Sequence, residues 1–129
     1  MLNMNSQEKV NILEQAVRVI EEDILAVQGY FETEHTALAL MPMYTLEIGD
    51  IELNADLIMI VEHKEQNDLV FICDCHNQHD YVSGRMIAYF EYKIETFKAT
   101  KGFYIGKEFA PEAYERAAKN PQLVLIQTQ

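Results

Sequence analysis

The sequence predicts one α/β domain in which helices flank a five-stranded mixed sheet. The first observation is a change of apolar period, from helical spacing to short runs near Gly29 and back to helical spacing near Asp80. The second is the order of the resulting segments: helix, three strands, helix, strand, helix and strand. Three consecutive strands form an antiparallel meander, and the two later helices provide the crossovers that parallel strands require. A chain of 129 residues suits one such domain, spanning residues 1–129.

A long first helix is predicted by apolar residues that recur at spacings of three and four, from Leu13 to Val27. Gly29 is a typical residue to end such a helix. The following stretch, residues 30–48, alternates loosely between apolar and polar residues and contains Pro42. Because proline cannot donate a hydrogen bond to a strand ladder, this stretch is predicted to be an edge strand or a bulged strand.

Two short apolar runs follow, Leu57–Val61 and Leu69–Cys73, with a polar break between them. Their content of Ile, Val and Phe predicts two buried strands joined as a hairpin. Polar residues stand at the ends of these strands: Asp56 begins the first, and Asp74 and His76 finish the second. An acid pair on neighbouring strands is one way in which a sheet holds a divalent metal, because carboxylate oxygens are ligands of hard cations.

The sequence contains only two cysteines, Cys73 and Cys75. Two positions apart on one strand they point the same way, which suits reduced thiols better than a disulfide. With His76 and His79 they form a second cluster, whose thiolates and imidazoles suit Zn²⁺. Structural zinc sites usually use separated pairs of ligands, so the packing of both cysteines as small buried side chains is the favoured interpretation.

The second half of the chain alternates helices and strands. A second helix is predicted over about residues 81–98, followed by a short strand at Phe103–Ile105. Pro111 opens a third helix, because proline suits the first helical turn, and Leu123–Ile126 is the last buried strand. The apolar stripe of the second helix consists of Val82, Met86, Phe90, Ile94 and Phe97.

The charge distribution limits the classes of partner. The net charge of −11 argues against a non-specific nucleic-acid binder, whose affinity depends on neutralising phosphates. Residues 85–107 carry five basic and two acidic side chains, so any surface that faces phosphate is expected there; the alternative is a solvated helix face. No apolar run approaches the ~20 residues of a membrane span. No secretory signal is visible, so a cytoplasmic protein without membrane contact is expected.

This layout resembles the restriction-endonuclease-like fold, and in particular its Mrr-like members. The motif of that superfamily, PD-(D/E)xK, places an Asp on one strand and an acid-x-Lys on the next. Asp56 matches the Asp, and Asp74-Cys75-His76 matches the second half of the motif 18 positions later. The ending GFYIGKEFAPEAYERAAKNPQLVLIQ is similar to the ending of the family, and Glu14 on the first helix stands where some members carry an accessory acid.

The resemblance implies that Asp56 and Asp74 hold Mg²⁺, while the family lysine orients the attacking water and stabilises the charged phosphate. His76 stands at the lysine position, and near pH 7 a histidine is positively charged only part of the time. A register shifted by one residue would place Cys73 and Cys75 at the motif positions. The Asp74 register is preferred because it puts Asp74 and His76 on one face of the strand.

Two functions follow from this motif. The favoured prediction is a domain with a degenerate active site, which is a non-catalytic binding or assembly module for a protein partner. The alternative is a metal-dependent DNA phosphodiesterase, an Mrr-like endonuclease that uses Asp56 and Asp74 with Mg²⁺, assisted by His76 and Glu14. A homodimer is also expected, because six methionines, six phenylalanines and seven tyrosines exceed what a small core can hide.

Overall fold

The computed structural model of the chain describes residues 7, 35–63, 67–76 and 80–127. The predicted first helix lies outside the described residues, except for Gln7, which is helical; Glu14 and His79 also lie outside them. The elements in chain order are β1 (His35–Ile48), β2 (Ile51–His63), β3 (Leu69–Cys75), β4 (Tyr81–Val82), α1 (Gly84–Phe97), β5 (Lys101–Gly106), β6 (Glu108–Phe109), α2 (Pro111–Lys119) and β7 (Leu123–Gln127).

The main sheet has the strand order β1-β2-β3-β5-β7. The pairs β1–β2 and β2–β3 are antiparallel, whereas β3–β5 and β5–β7 are parallel and are connected through α1 and α2. The predicted five-stranded mixed sheet is therefore confirmed. β4 and β6 pair in parallel as a separate two-stranded sheet, which the sequence did not predict because two residues are too few to show an apolar period.

Each face of the sheet carries an apolar cluster, because successive strand residues point to opposite faces. The cluster between the sheet and the helices includes Ala55, Ile58, Ile72, Tyr104 and Leu123 with Ile87, Phe90, Ile94 and Ala113. The cluster on the opposite face consists of Leu57, Met59, Phe71, Cys73, Cys75, Phe103 and Ile105. Both cysteines are free and buried, and they point to the same face, as the sequence predicted.

β1 and β2 form a longer hairpin than the sequence predicted, with pairing that starts at Ile48 and Ile51. Gly49, in the two-residue loop, has a φ of 60°, which glycine adopts without strain. Because β1 pairs with β2 on both sides of Asp56, this residue lies inside β2 and not at its start. Pro42 lies on the edge strand β1, in agreement with the prediction.

α1 packs on the sheet through Ile87, Phe90 and Ile94, which are buried at spacings of three and four. Ser83 caps the start of the helix, where its hydroxyl accepts a hydrogen bond of 3.2 Å from a first-turn amide. Gly102 of β5 lies directly under the helix, since a Cβ atom at this position would be 2.5 Å from Cγ1 of Ile94. The missing side chain at Gly102 therefore sets how closely α1 approaches the sheet.

Candidate active site

The two predicted acids meet where the ladder between β2 and β3 ends. The last paired residues are Leu57 and Cys73. Beyond them the amide of Asp56 donates to Oδ1 of Asp74 at 3.0 Å, and the amide of Cys75 donates to Oδ2 of Asp56 at 2.8 Å. Each carboxylate thus accepts from a backbone amide of the other strand. These reciprocal bonds hold the two carboxylates next to each other at one end of the sheet.

A lysine from α1 joins the acids. Nζ of Lys93 donates to Oδ2 of Asp74 at 2.7 Å and to the main-chain oxygen of Asn54 at 2.6 Å. Asp74 is only 8 % exposed, and this burial raises the pKa of its carboxyl group above the ordinary value. The Lys93 ammonium offsets part of that rise, whereas the charge of Asp56 adds to it. The arrangement is a buried carboxylate, Asp74, next to a partly exposed one, Asp56, with one cation that contacts Asp74.

The acids and the lysine line an open cleft with a volume of about 260 Å³. One face of α1 forms a wall of the cleft, because Met86, Tyr89, Phe90 and Lys93 lie three, four and seven positions apart along the helix. The other lining residues are Asn54, Asp56, Asp74, Cys75 and Tyr104. A small molecule or a short stretch of polymer can therefore reach the Asp74–Lys93 pair from solvent.

His76 is not part of this cleft. It is 4 % exposed, its Nε2 is paired with the carboxylate of Asp80, and its amide donates to the main-chain oxygen of Ile105 at 2.8 Å. Among the residues that the structure describes, those lining the cleft do not include His76. His76, at the position of the lysine in the motif, is thus paired with Asp80 and does not line the cleft, whereas Lys93 supplies the cation that contacts Asp74.

The strand register agrees with the choice made from the sequence. Cys73 and Cys75 belong to the cluster on the sheet face opposite the helices, and Ile72 belongs to the cluster under the helices. Asp74, between the two cysteines, therefore points to the helix side, where Lys93 meets it. Burial raises the pKa of the Cys73 thiol well above its usual range, so this thiol stays protonated and is a poor metal ligand.

Lys93 was not singled out from the sequence, although it lies in the basic segment 85–107 where a phosphate-facing surface was expected. The spacing of residues along the helix could have identified it. Lys93 follows Met86 by seven positions and Tyr89 by four, so these residues share one helix face. What no local pattern shows is that this face lies against Asp74, which is 19 positions earlier in the chain.

The donor set of the cleft fits a hydrated hard cation. Mg²⁺ usually keeps several waters and is bound by one or two carboxylates, and Asp56 and Asp74 provide two. Each oxygen of Asp74 accepts one hydrogen bond, from Lys93 or from the Asp56 amide, and a carboxylate oxygen has two lone pairs. Within the described ranges no group of three or more His, Cys, Asp or Glu residues clusters closely enough to hold a metal, and His79 of the zinc alternative lies outside those ranges.

Structural comparison finds solved structures with a similar fold. A repair endonuclease from Pyrococcus abyssi superposes on the whole chain with a TM-score of 0.52 and 11% identity, over 49% of its own length. A protein of unknown function, AF1548, matches 78% of the chain and 53% of its own length, with a TM-score of 0.49 and 13% identity. The DNA modification-dependent restriction endonuclease AspBHI matches 94% of the chain and 32% of its own length, with a TM-score of 0.38 and 11% identity.

The chain therefore has a restriction-endonuclease-like fold, as the resemblance implied. It spans about half the length of the repair endonuclease. No protein-family model matches the sequence, and no curated protein matches it significantly. In the part of the chain that the structure describes, neither helix is long and apolar enough to cross a membrane.

Proposed function

We propose that this chain is the nuclease domain of a metal-dependent DNA phosphodiesterase, in which Asp56 and Asp74 hold the metal and Lys93 replaces the family lysine. The observation that supports this proposal is the contact of 2.7 Å between Nζ of Lys93 and Oδ2 of Asp74 in an open cleft. The sequence favoured a non-catalytic domain because no lysine follows Asp74 on its strand. A lysine that reaches the same acid from α1 removes that objection.

A lysine in this place has a chemical use. Phosphodiester cleavage concentrates negative charge on the phosphate oxygens, and a preorganised cation next to the phosphate stabilises that charge. Lys93 is preorganised because its ammonium is bonded to both Asp74 and the main-chain oxygen of Asn54. Its side chain is 11% exposed, so the ammonium is little screened by solvent. A lysine also keeps its charge near pH 7, which a histidine does not.

The two carboxylates have a different task. A bound Mg²⁺ would act as a Lewis acid on the phosphate and lower the pKa of a bound water. Asp56 and Asp74 would hold that ion, and their reciprocal bonds to the amides of Cys75 and Asp56 fix both side chains before substrate arrives. His76, paired with Asp80 in the interior, has a structural task in this proposal, and Glu14 lies outside the described residues.

DNA as the substrate comes from the resemblance to the Mrr-like family and agrees with the fold shared with a repair endonuclease. The chain's own charge of −11 makes a broad phosphate-binding surface a poor source of affinity. In an intact protein, binding of long DNA would then depend on a further domain or on a protein partner.

The second candidate is the non-catalytic binding or assembly module. The ion pair between Lys93 and Asp74 is compatible with this second candidate, because Lys93 balances the charge of Asp74 without a metal. A buried pair of this kind can be retained for structure alone. The two candidates differ in what they predict for cleavage and for metal binding.

The test is cleavage of a fluorescein-labelled DNA oligonucleotide, offered as a single strand and as a duplex, in Mg²⁺, in Mn²⁺ and in EDTA. Wild type is expected to cleave only with metal, and Asp56→Asn and Asp74→Asn are expected to abolish cleavage. Lys93→Met should lower the rate by about 10²–10³, the usual effect of losing one preorganised donor. Lys93→Arg should recover part of the loss, because it keeps the charge.

Lys119→Met is the matched control, since Lys119 is an exposed lysine at the end of α2 that does not line the cleft. It should cleave like wild type. The melting temperature of every variant, with and without metal, separates lost chemistry from lost folding. If wild type does not cleave in either metal and neither metal raises its melting temperature, the nuclease proposal fails and the binding-module candidate replaces it.

A further inference from the structure

We infer that the cleft takes an unpaired nucleotide, whose base stacks on Tyr89 while its phosphate lies at Asp74 and Lys93. The substrate class is therefore single-stranded DNA, or an unpaired end or loop of a duplex. The phosphate half of this inference rests on the proposed function. The stacking half rests on exposed aromatic side chains of α1, which the nuclease proposal does not use.

Tyr89 is a half-exposed aromatic side chain at the cleft. It lines the cleft and is 53% exposed. The helix does not need it for packing, because α1 is held to the sheet by Ile87, Phe90 and Ile94. Nζ of Lys93 lies over the Tyr89 ring, 5.2 Å from the ring centre, so a base would stack on the other face of this half-exposed ring. A base there would stand close to the cation that contacts the phosphate in the proposed function.

Tyr92 extends the aromatic surface beyond the residues that line the cleft. Its ring centre is 6.4 Å from that of Tyr89, the two rings are inclined by only 25°, and Tyr92 is 43% exposed. Two nearly parallel, half-open rings on one helix form a platform of the kind on which bases of a single strand stack. The platform joins Tyr89, which lines the cleft, to Tyr92, which does not line it, so bases next to the bound nucleotide could also stack on α1.

The charge of the protein favours base contacts over phosphate contacts. Among the described residues that line the cleft, Lys93 is the only basic one, and the whole chain carries a charge of −11. Binding that depends on neutralising many phosphates is therefore weak. Stacking on an aromatic ring tolerates any sequence and needs no positive charge. In a duplex both faces of each base are covered by neighbouring bases, so only an unpaired base can use Tyr89.

The experiment measures binding without chemistry. The change in fluorescence anisotropy of a labelled oligo(dT) is titrated with the full chain in EDTA, and the same is done with this strand annealed to oligo(dA) of equal length as a blunt-ended duplex. Wild type should bind the single strand at least about tenfold more tightly than the blunt-ended duplex. Tyr89→Leu should weaken single-strand binding by about 5- to 100-fold, the range for loss of one base stack, and Tyr89→Phe should not.

Tyr114→Leu is the matched control, because Tyr114 is an exposed tyrosine of α2 that does not line the cleft. Tyr92→Leu, a second variant on the platform, should show a smaller loss than Tyr89→Leu. Equal affinity of wild type and Tyr89→Leu, or binding of the blunt-ended duplex as tightly as the single strand, would overturn the inference. Because no metal is present, this result is separate from cleavage: a stacking defect without any wild-type cleavage in Mg²⁺ would leave the aromatic site standing and reject the nuclease.

Discussion

At the scale of single residues, Asp74 has the most unusual environment in the described part of the chain. It is buried, it contacts the ammonium of Lys93, and it accepts the amide of Asp56. Burial is the largest influence on its carboxyl group, so its pKa stays above the ordinary value despite the nearby lysine. Removal of the proton from Asp74 therefore costs more in the folded protein than in the unfolded chain.

This difference predicts how stability depends on pH. The folded state binds the proton of Asp74 more tightly than the unfolded state, whose carboxyl has the ordinary pKa of 3.8. The free energy of unfolding of wild type should thus fall, relative to that of Asp74→Asn, as the pH rises above about 3.8, by up to ~1.4 kcal/mol per pH unit. Urea unfolding of both proteins between pH 4 and pH 7 measures it. A constant difference across that range would contradict the raised pKa.

A second prediction at this scale concerns His76. Replacement by the family's lysine should not increase cleavage, because residue 76 faces Asp80 in the interior and not the cleft. We expect His76→Lys to lower the free energy of unfolding by about 1–3 kcal/mol through a poorly solvated ammonium group. His76→Asn, which can still donate to Asp80, should lose less. Nuclease assays and urea unfolding test these two statements. A tenfold gain in cleavage by His76→Lys would show that residue 76 does take part in cleavage.

At the scale of secondary-structure elements, the position of α1 on the sheet determines the cleft. The helix carries Tyr89 and Lys93 to the acids, and its height above β5 depends on Gly102. A methyl group at this position would lie 2.5 Å from Cγ1 of Ile94 and 2.8 Å from Cε2 of Phe90. Both contacts are with buried side chains, so the helix cannot absorb the methyl group by turning an exposed side chain outward.

Gly102→Ala should therefore lower the free energy of unfolding by about 1–3 kcal/mol, as overpacked cores do. It should also reduce any activity that needs Lys93 near Asp74. Gly49→Asn is the comparison at an exposed glycine with positive φ, because asparagine tolerates that backbone conformation. Chemical unfolding of both variants measures this difference. If Gly102→Ala were as stable as wild type, the close approach of α1 to β5 would be contradicted.

At the scale of the whole molecule, the sheet was predictable and the site was predictable only in part. Apolar period is a local property, so it identified the strands that carry Asp56 and Asp74 and the helices between the later strands. The contact of Lys93 with Asp74 depends on how a crossover helix lies across the sheet, which single-sequence patterns do not encode. The length of β2 was missed for a related reason, since its first half pairs only with β1, and that half carries polar residues.

The homodimer expected from the sequence remains a prediction at this scale. Its basis is the apolar surface of the described residues, which includes the exposed side chains Met43, Ile48, Ile51, Tyr81, Tyr89, Tyr92 and Tyr114. Such side chains at a surface are typical of protein contacts when they lie together. Sedimentation velocity at high micromolar protein should show a species of twice the monomer mass. A single monomeric species at that concentration would exclude the dimer.

The acids and the lysine of the cleft are positioned by different interactions. Asp56 and Asp74 each accept a hydrogen bond from a main-chain amide of the other strand, whereas Lys93 lies on a helix whose position on the sheet depends on the packing of Ile87, Phe90 and Ile94. A mutation that displaces the helix would therefore alter the distance from ammonium to carboxylate and leave the geometry of the acid pair unchanged. If the proposed function is correct, a substitution far from the cleft that displaces α1 would lower the cleavage rate and leave the affinity for Mg²⁺ unchanged.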